Sequence, residues 1–122
     1  MTKAGLLAVG SVVAVTMVGC RCRRVVVHGS SMQPTLEAGD RLLVIRAGRP
    51  RAGHLVVVPD PRQPDRFLVK RVAAVGGGSI TVRGDNPVAS TDSREFGALS
   101  VDAVRGRAVY RYAPSSRAGW LR

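Results

Sequence analysis

One apolar segment near the amino terminus constrains the fold of this chain more than any other feature. The segment from Ala4 to Cys20 has no charged side chain over 17 positions, and Lys3 and Arg21 flank it. As a helix it would measure about 25 Å, the lower end of what crosses the hydrocarbon core of a bilayer. It has no polar face, so a buried core helix is the weakest interpretation. We therefore expect residues 1–24 to form a membrane anchor with a basic flank, built as one N-terminal transmembrane helix.

The sequence leaves two properties of this segment open. A removable signal peptide is the alternative to an uncleaved anchor, and Met17 to Cys20 loosely resembles a lipoprotein cleavage box. Arg21 and Arg23 directly after the cysteine fit that box poorly. Orientation is also open, because Lys3 and the amino terminus oppose three arginines on the other side. The charge count slightly favours a cytoplasmic body.

After the anchor, short runs of β-branched residues alternate with glycine, proline and aspartate, which predicts strands joined by turns. The predicted strands are Val25–His28, Arg41–Arg46, His54–Val58, Arg66–Val75, Ser79–Arg83 and Arg107–Tyr112. We expect Pro59 to Asp65 to form a loop, because proline cannot donate to a sheet. Six such strands predict a compact, mainly β, antiparallel domain over residues 25–114. A short polar tail, 115–122, follows, and its Trp120 and Leu121 can dock on the body or on a membrane.

Composition narrows the possible functions. Cys20 and Cys22 are too close to pair easily, and His28 and His54 stand alone, so we expect no disulfide, no metal and no cofactor. The net charge of +11 raises the alternative of a non-enzymatic basic module that binds nucleic acid or anionic lipid. Such a module predicts clustered arginines with interleaved aromatic residues. The arginines here are spread along the chain and only 4% of residues are aromatic, so membrane lipid is an expected partner and nucleic acid is not.

The sharpest local motif is the octapeptide from Gly29 to Leu36, Gly-Ser-Ser-Met-Gln-Pro-Thr-Leu, directly after the apolar run Val25 to Val27. A serine at the end of a strand, ahead of a proline-stiffened turn, can expose its hydroxyl while backbone N–H groups point towards an oxyanion. An ordinary Ser/Gly turn is the alternative. A serine nucleophile also needs a base that removes its proton.

Lys70 is the best candidate for that base. It lies in the apolar run from Phe67 to Val75, where burial would lower the pKa of a lysine. Arginine cannot act in this way because it stays protonated, and 17 of the 19 basic residues are arginine. The alternative is a lysine that extends its ammonium group to water. His28 and His54 are weaker candidates, since neither is clearly placed for the task.

A third motif runs from Gly84 to Arg94. Its first four residues, Gly-Asp-Asn-Pro, are typical of a turn. Asp92 and Arg94 are spaced to form an ion pair that fixes a loop, and Ser90 can orient a neutral amine by a hydrogen bond. Taken alone, the segment is most simply a polar loop.

Together the three segments resemble the type I signal peptidases, serine proteases of the S26 class with a Ser/Lys dyad. The resemblance rests on Ser-Met-Gln-Pro-Thr-Leu after a hydrophobic strand, Lys-Arg about forty residues later, then Gly-Asp-Asn and Ser-Thr-Asp-Ser-Arg. These motifs occur in the family's order between Val25 and Pro114. The resemblance implies the signal-peptidase/LexA-like β fold. In length and in the residues of its motifs, the chain is most similar to short members described as nickel-type superoxide dismutase maturation proteases.

The resemblance also implies a role for each matched residue. Ser31 matches the nucleophile and Lys70 the general base. Ser90 matches the serine that orients the lysine, and Asp92 and Arg94 match the pair that braces the site. Ser31 would attack the scissile carbonyl, form an acyl-enzyme, and be released by a water that Lys70 activates.

Three further residues would line the oxyanion hole and the substrate cleft: Gly29, Ser30 and Met32. Gly29 falls where some members carry a second serine, so the oxyanion hole would rely on backbone donors, chiefly the amide of Ser31. The implied substrate is a precursor polypeptide with small residues at the first and third positions before the cut. It would lie extended beside the strands.

The family leaves alternatives for substrate and location. General leader-peptide removal is favoured modestly over trimming of a nickel-type superoxide dismutase. We expect a single-pass protein of the bacterial cytoplasmic membrane, with an extracytoplasmic body for leader processing or a cytoplasmic one for nickel-enzyme maturation. The self-cleaving Ser/Lys repressors use a similar dyad, but there is no room before Val25 for their DNA-binding domain and cleavable linker.

Overall fold

The computed structural model describes residues 22–46 and 48–122. The expected transmembrane helix over Ala4 to Cys20 lies outside the described residues. Among the helices that are described, none has the length and apolar character needed to cross a bilayer. The described chain is mainly antiparallel β sheet, which confirms the predicted fold class for the body.

The described residues form eight strands in one sheet, with little helix. The strands are β1 (Cys22–Val26), β2 (Arg41–Ile45), β3 (Leu55–Asp60), β4 (Gln63–Gly76), β5 (Ser79–Arg83), β6 (Leu99–Ser100), β7 (Gly106–Ala113) and β8 (Gly119–Trp120). One short helix, α1 (Ser93–Phe96), and two 3₁₀ turns, Val101–Ala103 and Ser115–Arg117, complete it. The strand order is β1-β2-β7-β3-β4-β5-β6, every pair is antiparallel, and β8 pairs with β7.

The predicted loop from Pro59 to Asp65 is wrong. Strand β3 runs to Asp60 and β4 begins at Gln63, and these two residues pair across a tight hairpin. The carboxylate of Asp60, 1% exposed, accepts hydrogen bonds from the backbone N–H and the guanidinium of Arg62 at 2.9 to 3.1 Å. This local ion pair closes the turn, so the prolines sit at the hairpin end without interrupting the central part of the sheet.

The core lies on both faces of β3. Leu55 and Val57 belong to one apolar cluster, and Val56 and Val58 belong to a second. Successive side chains of a strand point to opposite faces, so β3 separates the two clusters. A strand buried on both faces is a continuous apolar run, which is why residues 55–58 read Leu-Val-Val-Val.

Residues 115–122, expected as a polar tail, return to the sheet. Tyr110 pairs with Trp120 in the β7–β8 ladder, and the ring centroids of these two residues are 4.9 Å apart. The backbone N–H of Leu121 donates to Val109. Of the two docking alternatives for Trp120 and Leu121, the structure shows docking on the body. The Trp120 side chain is nevertheless 78% exposed.

Candidate active site

A cleft of about 520 Å³ lies between the turn that follows β1 and the first half of β4. Its lining comes from residues 25–32, 62, 66–70, 89 and 91. Ser31 and Lys70 both line it, although they are far apart in the sequence. The fold therefore brings residues of all three motifs to one cavity, since Ala89 and Thr91 of the third motif also line it.

Lys70 lies on β4, directly opposite Val56 of β3, and is 2% exposed. The alternative of an ammonium group that reaches water is therefore wrong. Burial lowers the pKa of Lys70 because the charged amine loses its hydration, while the carboxylate of Asp92 acts in the opposite direction. The Nζ atom donates to Ser90 Oγ at 3.1 Å. Burial therefore makes the Lys70 amine easier to deprotonate than a lysine amine in water.

The carboxylate of Asp92 is buried and fully hydrogen-bonded. It accepts from Ser90 Oγ at 2.9 Å, from the Gly84 backbone N–H at 3.0 Å, and from the backbone and guanidinium of Arg94. Burial raises the pKa of Asp92, but these hydrogen bonds outweigh it and hold the pKa far below its usual range. Asp92 is thus a fixed anion. Because it accepts the hydroxyl proton of Ser90, it directs the Ser90 oxygen towards the lysine.

The turn that carries Ser31 is attached to the Gly84–Asn86 segment. The backbone N–H of Asn86 donates to the Ser31 carbonyl at 2.8 Å, and its side-chain amide donates to the Ser30 carbonyl at 3.1 Å. Met32, 2% exposed, accepts from the Asp85 backbone N–H through its sulfur at 3.4 Å. These contacts fix the backbone on both sides of the Ser31 side chain.

An ion pair that sequence reasoning missed supports the same segment. Arg71, next to Lys70, holds the Asp85 carboxylate with two hydrogen bonds of 2.9 and 2.8 Å. Asp85 also accepts from the Thr35 hydroxyl at 2.6 Å. The Arg71 guanidinium lowers the pKa of Asp85, partly offset by burial. The Lys-Arg and Gly-Asp-Asn motifs were the available signal, but their 14-residue separation gives no indication of a contact.

Gly84 lies where the first and the third motif meet. A Cβ atom at this position would overlap the Ser90 hydroxyl oxygen, and it would lie 2.5 Å from Ser90 Cβ and 2.6 Å from the Ser31 carbonyl oxygen. No side chain fits in that space. The glycine lets the backbone pass between Ser31, the candidate nucleophile, and Ser90, which accepts a hydrogen bond from Lys70.

The candidate residues fall into two groups in space. Gly29, Ser30, Ser31 and Met32 line the cleft, and Gly29 has a φ of +76°. Ser90, Asp92 and Arg94 form a hydrogen-bonded chain that ends on Lys70. Among the described contacts, Ser31 Oγ and Lys70 Nζ share the cleft without a hydrogen bond between them. In unliganded enzymes such contacts are often long and tighten with substrate, so the assigned roles stay predictions.

Neither histidine competes with Lys70 on geometry. His28 lines the cleft but is exposed, and His54 lies outside the cleft lining. Within the described ranges, no group of three His, Cys, Asp or Glu side chains is arranged to hold a metal ion.

A small antiparallel sheet that places a buried lysine and a strand-end serine in one cleft is the architecture expected of a Ser/Lys peptidase. Comparison with known proteins defines the family. The family model "Signal peptidase, peptidase S26" matches residues 1–86. The chain belongs to the S26 signal peptidase family.

Relatives of known description agree with this family. Mitochondrial ATP-independent inner membrane protease subunit 1a of Arabidopsis thaliana is 34% identical, over 79% of this chain and 73% of the relative. Mitochondrial inner membrane protease subunit 1 of Homo sapiens is 28% identical, over 80% and 74%. Subunit 2 from Mus musculus is 31% identical, over 90% and 77%. These proteins are named as proteases and as membrane proteins, in line with the expected class.

The expected location in a bacterial cytoplasmic membrane is contradicted by the same relatives. Each of those named above is a subunit of a mitochondrial inner membrane protease. The charge pattern on which the expectation rested is a general signal for a membrane, and it carries no information about which membrane.

Proposed function

We propose that this chain is a serine endopeptidase that uses a Ser31/Lys70 dyad to remove N-terminal leader peptides from precursor proteins at a membrane. The observation that carries the proposal is the environment of Lys70. A lysine that is 2% exposed, with a lowered pKa and a serine that accepts a hydrogen bond from its amine, has the properties expected of a general base. An arginine in the same place could not lose its proton.

In the proposed reaction, the neutral Lys70 amine takes the proton of Ser31 Oγ as that oxygen attacks the scissile carbonyl. The resulting ammonium then protonates the leaving amine, which leaves an ester between the leader and Ser31. Lys70, neutral again, takes a proton from water, and the hydroxide attacks the ester and releases the leader carboxylate. Ser90 and Asp92 keep the amine in one position during both halves of the reaction.

The oxyanion of each tetrahedral intermediate needs donors. The turn at Gly29–Ser31 can supply them from its backbone, because it lines the cleft and the positive φ of Gly29 lets the chain turn sharply at the strand end. Among the described residues, the Ser31 amide donates to no other protein group. It is the chief candidate donor, as expected for a chain that has glycine where some relatives have a second serine.

The strand edges beside the cleft are suited to an extended substrate. Residues 67–70 of β4 pair with β3 on one side, while the pairing of β4 with β5 begins only at Arg71. Across the cleft, β1 is the outer strand of the described sheet. Two backbone edges therefore face the cleft, and a leader peptide can add to them as a strand. The apolar side chains of Val27 and Leu68, which line the same space, favour small or apolar substrate residues.

We further propose that residues 1–24 anchor this peptidase domain to the membrane. The support is the uncharged 17-residue segment and the membrane location in the names of the relatives. A membrane segment that ends at Cys20, just before β1, would bring the cleft close to precursors held at the same surface, since β1 leads directly into the Ser31 turn.

Maturation of a nickel-type superoxide dismutase is the alternative substrate within the same chemistry. Its support is the amino-acid sequence of two segments, Gly84 to Pro87 and Ser90 to Gly97. In these segments the chain is most similar to the short peptidases described as nickel-type superoxide dismutase maturation proteases. One assay separates the two: the chain is offered a leader peptide with alanine at the first and third positions before the cut, and the extension of a nickel-type superoxide dismutase. A kcat/KM at least tenfold higher for one of them identifies the substrate class.

The test of the dyad uses the full chain in non-ionic detergent with the preferred peptide. Ser31→Ala and Lys70→Ala are each expected to lower kcat/KM by about 10³-fold or more, because each removes a partner of one reaction. Ser116→Ala, a serine exposed in the second 3₁₀ turn, is the matched control and should keep full activity. Circular dichroism should show an intact sheet in all three variants. Near-normal cleavage by either dyad variant would refute the assignment.

A further inference from the structure

A second cavity, which none of the chemistry above uses, lies at the opposite side of β3. It has a volume of about 230 Å³. Its polar lining residues are Arg46, His54, Asp102, Arg105 and Arg107, and we refer to it as the arginine pocket. It shares no lining residue with the catalytic cleft.

The arginine pocket carries an excess of positive charge that the protein does not neutralise. Among the described residues, the guanidinium groups of Arg46 and Arg107 have no hydrogen bond and no ion pair. Arg105 donates only to backbone carbonyls, at 3.3 Å. Asp102 is the single carboxylate in the lining, and it forms no ion pair in the described chain. Three guanidinium groups therefore face one carboxylate.

These unpaired arginines differ from the others that have structural roles. Asp40, for example, is held by Arg111 and Arg117, and Asp85 by Arg71. The protein thus pairs its arginines where it uses them to fix the fold. At the arginine pocket three guanidinium groups line one cavity and form no ion pair among the described residues, which is the arrangement expected of a site for an external anion.

His54 adds a neutral donor to the pocket wall. Its Nδ1 accepts a hydrogen bond from the Arg51 backbone N–H at 3.2 Å, so the neutral ring carries its proton on Nε2. Burial lowers the pKa of His54, and the charges of Arg107 and Arg51 lower it further. The positive charges around the pocket therefore lower the pKa of His54. An anion bound in the pocket would raise this pKa.

The sheet fixes the pocket's position relative to Lys70. Val56 of β3 pairs with Lys70 on one side and with Arg107 on the other. Directly opposite residues of antiparallel strands share one face, so the pocket and the buried lysine lie on the same face. Two strand spacings, about 10 Å, separate their backbones. The two sites are neighbours with a valine between them.

We propose that the arginine pocket binds a phosphate group, either as a soluble phosphate or as the headgroup of an anionic phospholipid. Guanidinium groups bind phosphate oxygens in pairs of parallel hydrogen bonds, and three of them match the charge of a phosphate better than that of a single carboxylate. The Nε2–H of His54 supplies a further donor. A volume of about 230 Å³ accommodates a phosphate group together with a few water molecules or a small part of a larger ligand.

The experiment uses the full chain in a non-ionic detergent and follows the ring resonances of the two histidines by NMR. Sodium phosphate is titrated against sodium chloride and sodium acetate at equal ionic strength. The test variant is Arg46→Gln/Arg107→Gln. The matched control is Arg41→Gln. Arg41 is an exposed arginine at the start of β2, the strand that ends just before Arg46, and Arg41 itself lines no described cavity.

Saturable movement of the His54 resonance with phosphate, and an upward shift of the His54 pKa, are expected, with no comparable change at His28. The double variant should weaken phosphate binding at least tenfold, and Arg41→Gln should leave it unchanged. The proposal fails if phosphate produces no saturable change, if chloride or acetate produces the same change, or if the double variant and Arg41→Gln behave alike.

The source of the phosphate is decided by a second arm. The full chain is placed in nanodiscs of phosphatidylcholine or of phosphatidylglycerol, without added phosphate. A raised His54 pKa in phosphatidylglycerol alone, lost in the double variant, identifies a lipid headgroup. A response to inorganic phosphate in both kinds of nanodisc, with no effect of the lipid, identifies a soluble ligand. No response to either probe overturns the proposal.

Discussion

Replacement of Gly84 by alanine tests the central geometric feature of the site with one methyl group. The added Cβ would lie 2.5 Å from Ser90 Cβ and 2.6 Å from the carbonyl oxygen of Ser31. Ordinary van der Waals contact begins at 3.4 Å, so these two groups must move by about 0.8–0.9 Å, and the nearer Ser90 hydroxyl oxygen must move further. Overpacking of this kind costs about 1–3 kcal/mol of unfolding free energy. A displacement near 1 Å between catalytic groups can cost about 10²-fold in rate.

The matched control is Gly76→Ala. Gly76 ends β4, a Cβ there would meet nothing within 4 Å, and its φ lies outside the positive range. Its replacement is expected to stabilise the chain by about 0.4–1 kcal/mol, because alanine restricts the unfolded chain. Urea unfolding of the full chain in non-ionic detergent and kcat/KM for the leader peptide are measured on both variants. If Gly84→Ala matches Gly76→Ala in stability and activity, the close approach of Gly84 to Ser31 and Ser90 is not as described.

Three further predictions concern the groups around the lysine. Lys70→Met should abolish cleavage yet raise the unfolding free energy at pH 7 by about 1–3 kcal/mol, because no amine is then desolvated. The gain over the wild type should shrink as pH rises towards 10.5, because below that pH the unfolded wild-type chain binds a proton that the folded chain binds less well. Urea unfolding of both chains from pH 7 to 10 measures this difference. In the pH profile of kcat/KM, the acid limb should lie below the ordinary lysine pKa. It should move to lower pH in Asp92→Asn, because this variant removes the carboxylate that favours the ammonium form of Lys70. Movement to higher pH would contradict this electrostatic account. Arg71→Met should lower the unfolding free energy by about 1–3 kcal/mol and kcat/KM by about tenfold or more, because Asp85 loses both charged hydrogen bonds. Unchanged values in urea unfolding and in the peptidase assay would show that this ion pair does not support the Ser31 turn.

The sequence predicted the strands well where the pattern is local. The run Ser79–Arg83 became a strand with those bounds, and the other five predicted strands appear with shifted ends. Local pattern failed at the Pro59–Asp65 hairpin, where a carboxylate closes a turn that proline content alone argues against. It also missed β6 and β8, because a strand of two residues exists only through its pairing, here with β5 and β7.

The candidate site shows the same division. Burial of Lys70 followed from its apolar neighbours, and the Asp92–Arg94 ion pair followed from a spacing of two residues. The ion pair between Arg71 and Asp85 joins two motifs across separate strands, and no rule of spacing predicts it. The arginine pocket was hidden for a related reason: arginines scattered along the sequence meet only when β2 and β7 pair.

The most direct test of the proposed chemistry is to locate the acyl group on the enzyme. A p-nitrophenyl ester of the leader peptide acylates faster than water releases the product, so an acyl-enzyme should accumulate. We predict a burst of nitrophenol equal to the enzyme present, and a mass increase by one leader acyl group on the peptide that contains Ser31. Ser31→Ala should lose both. Turnover with the acyl group on another residue, or an undiminished burst from Ser31→Ala, would contradict the assignment of Ser31 as the nucleophile.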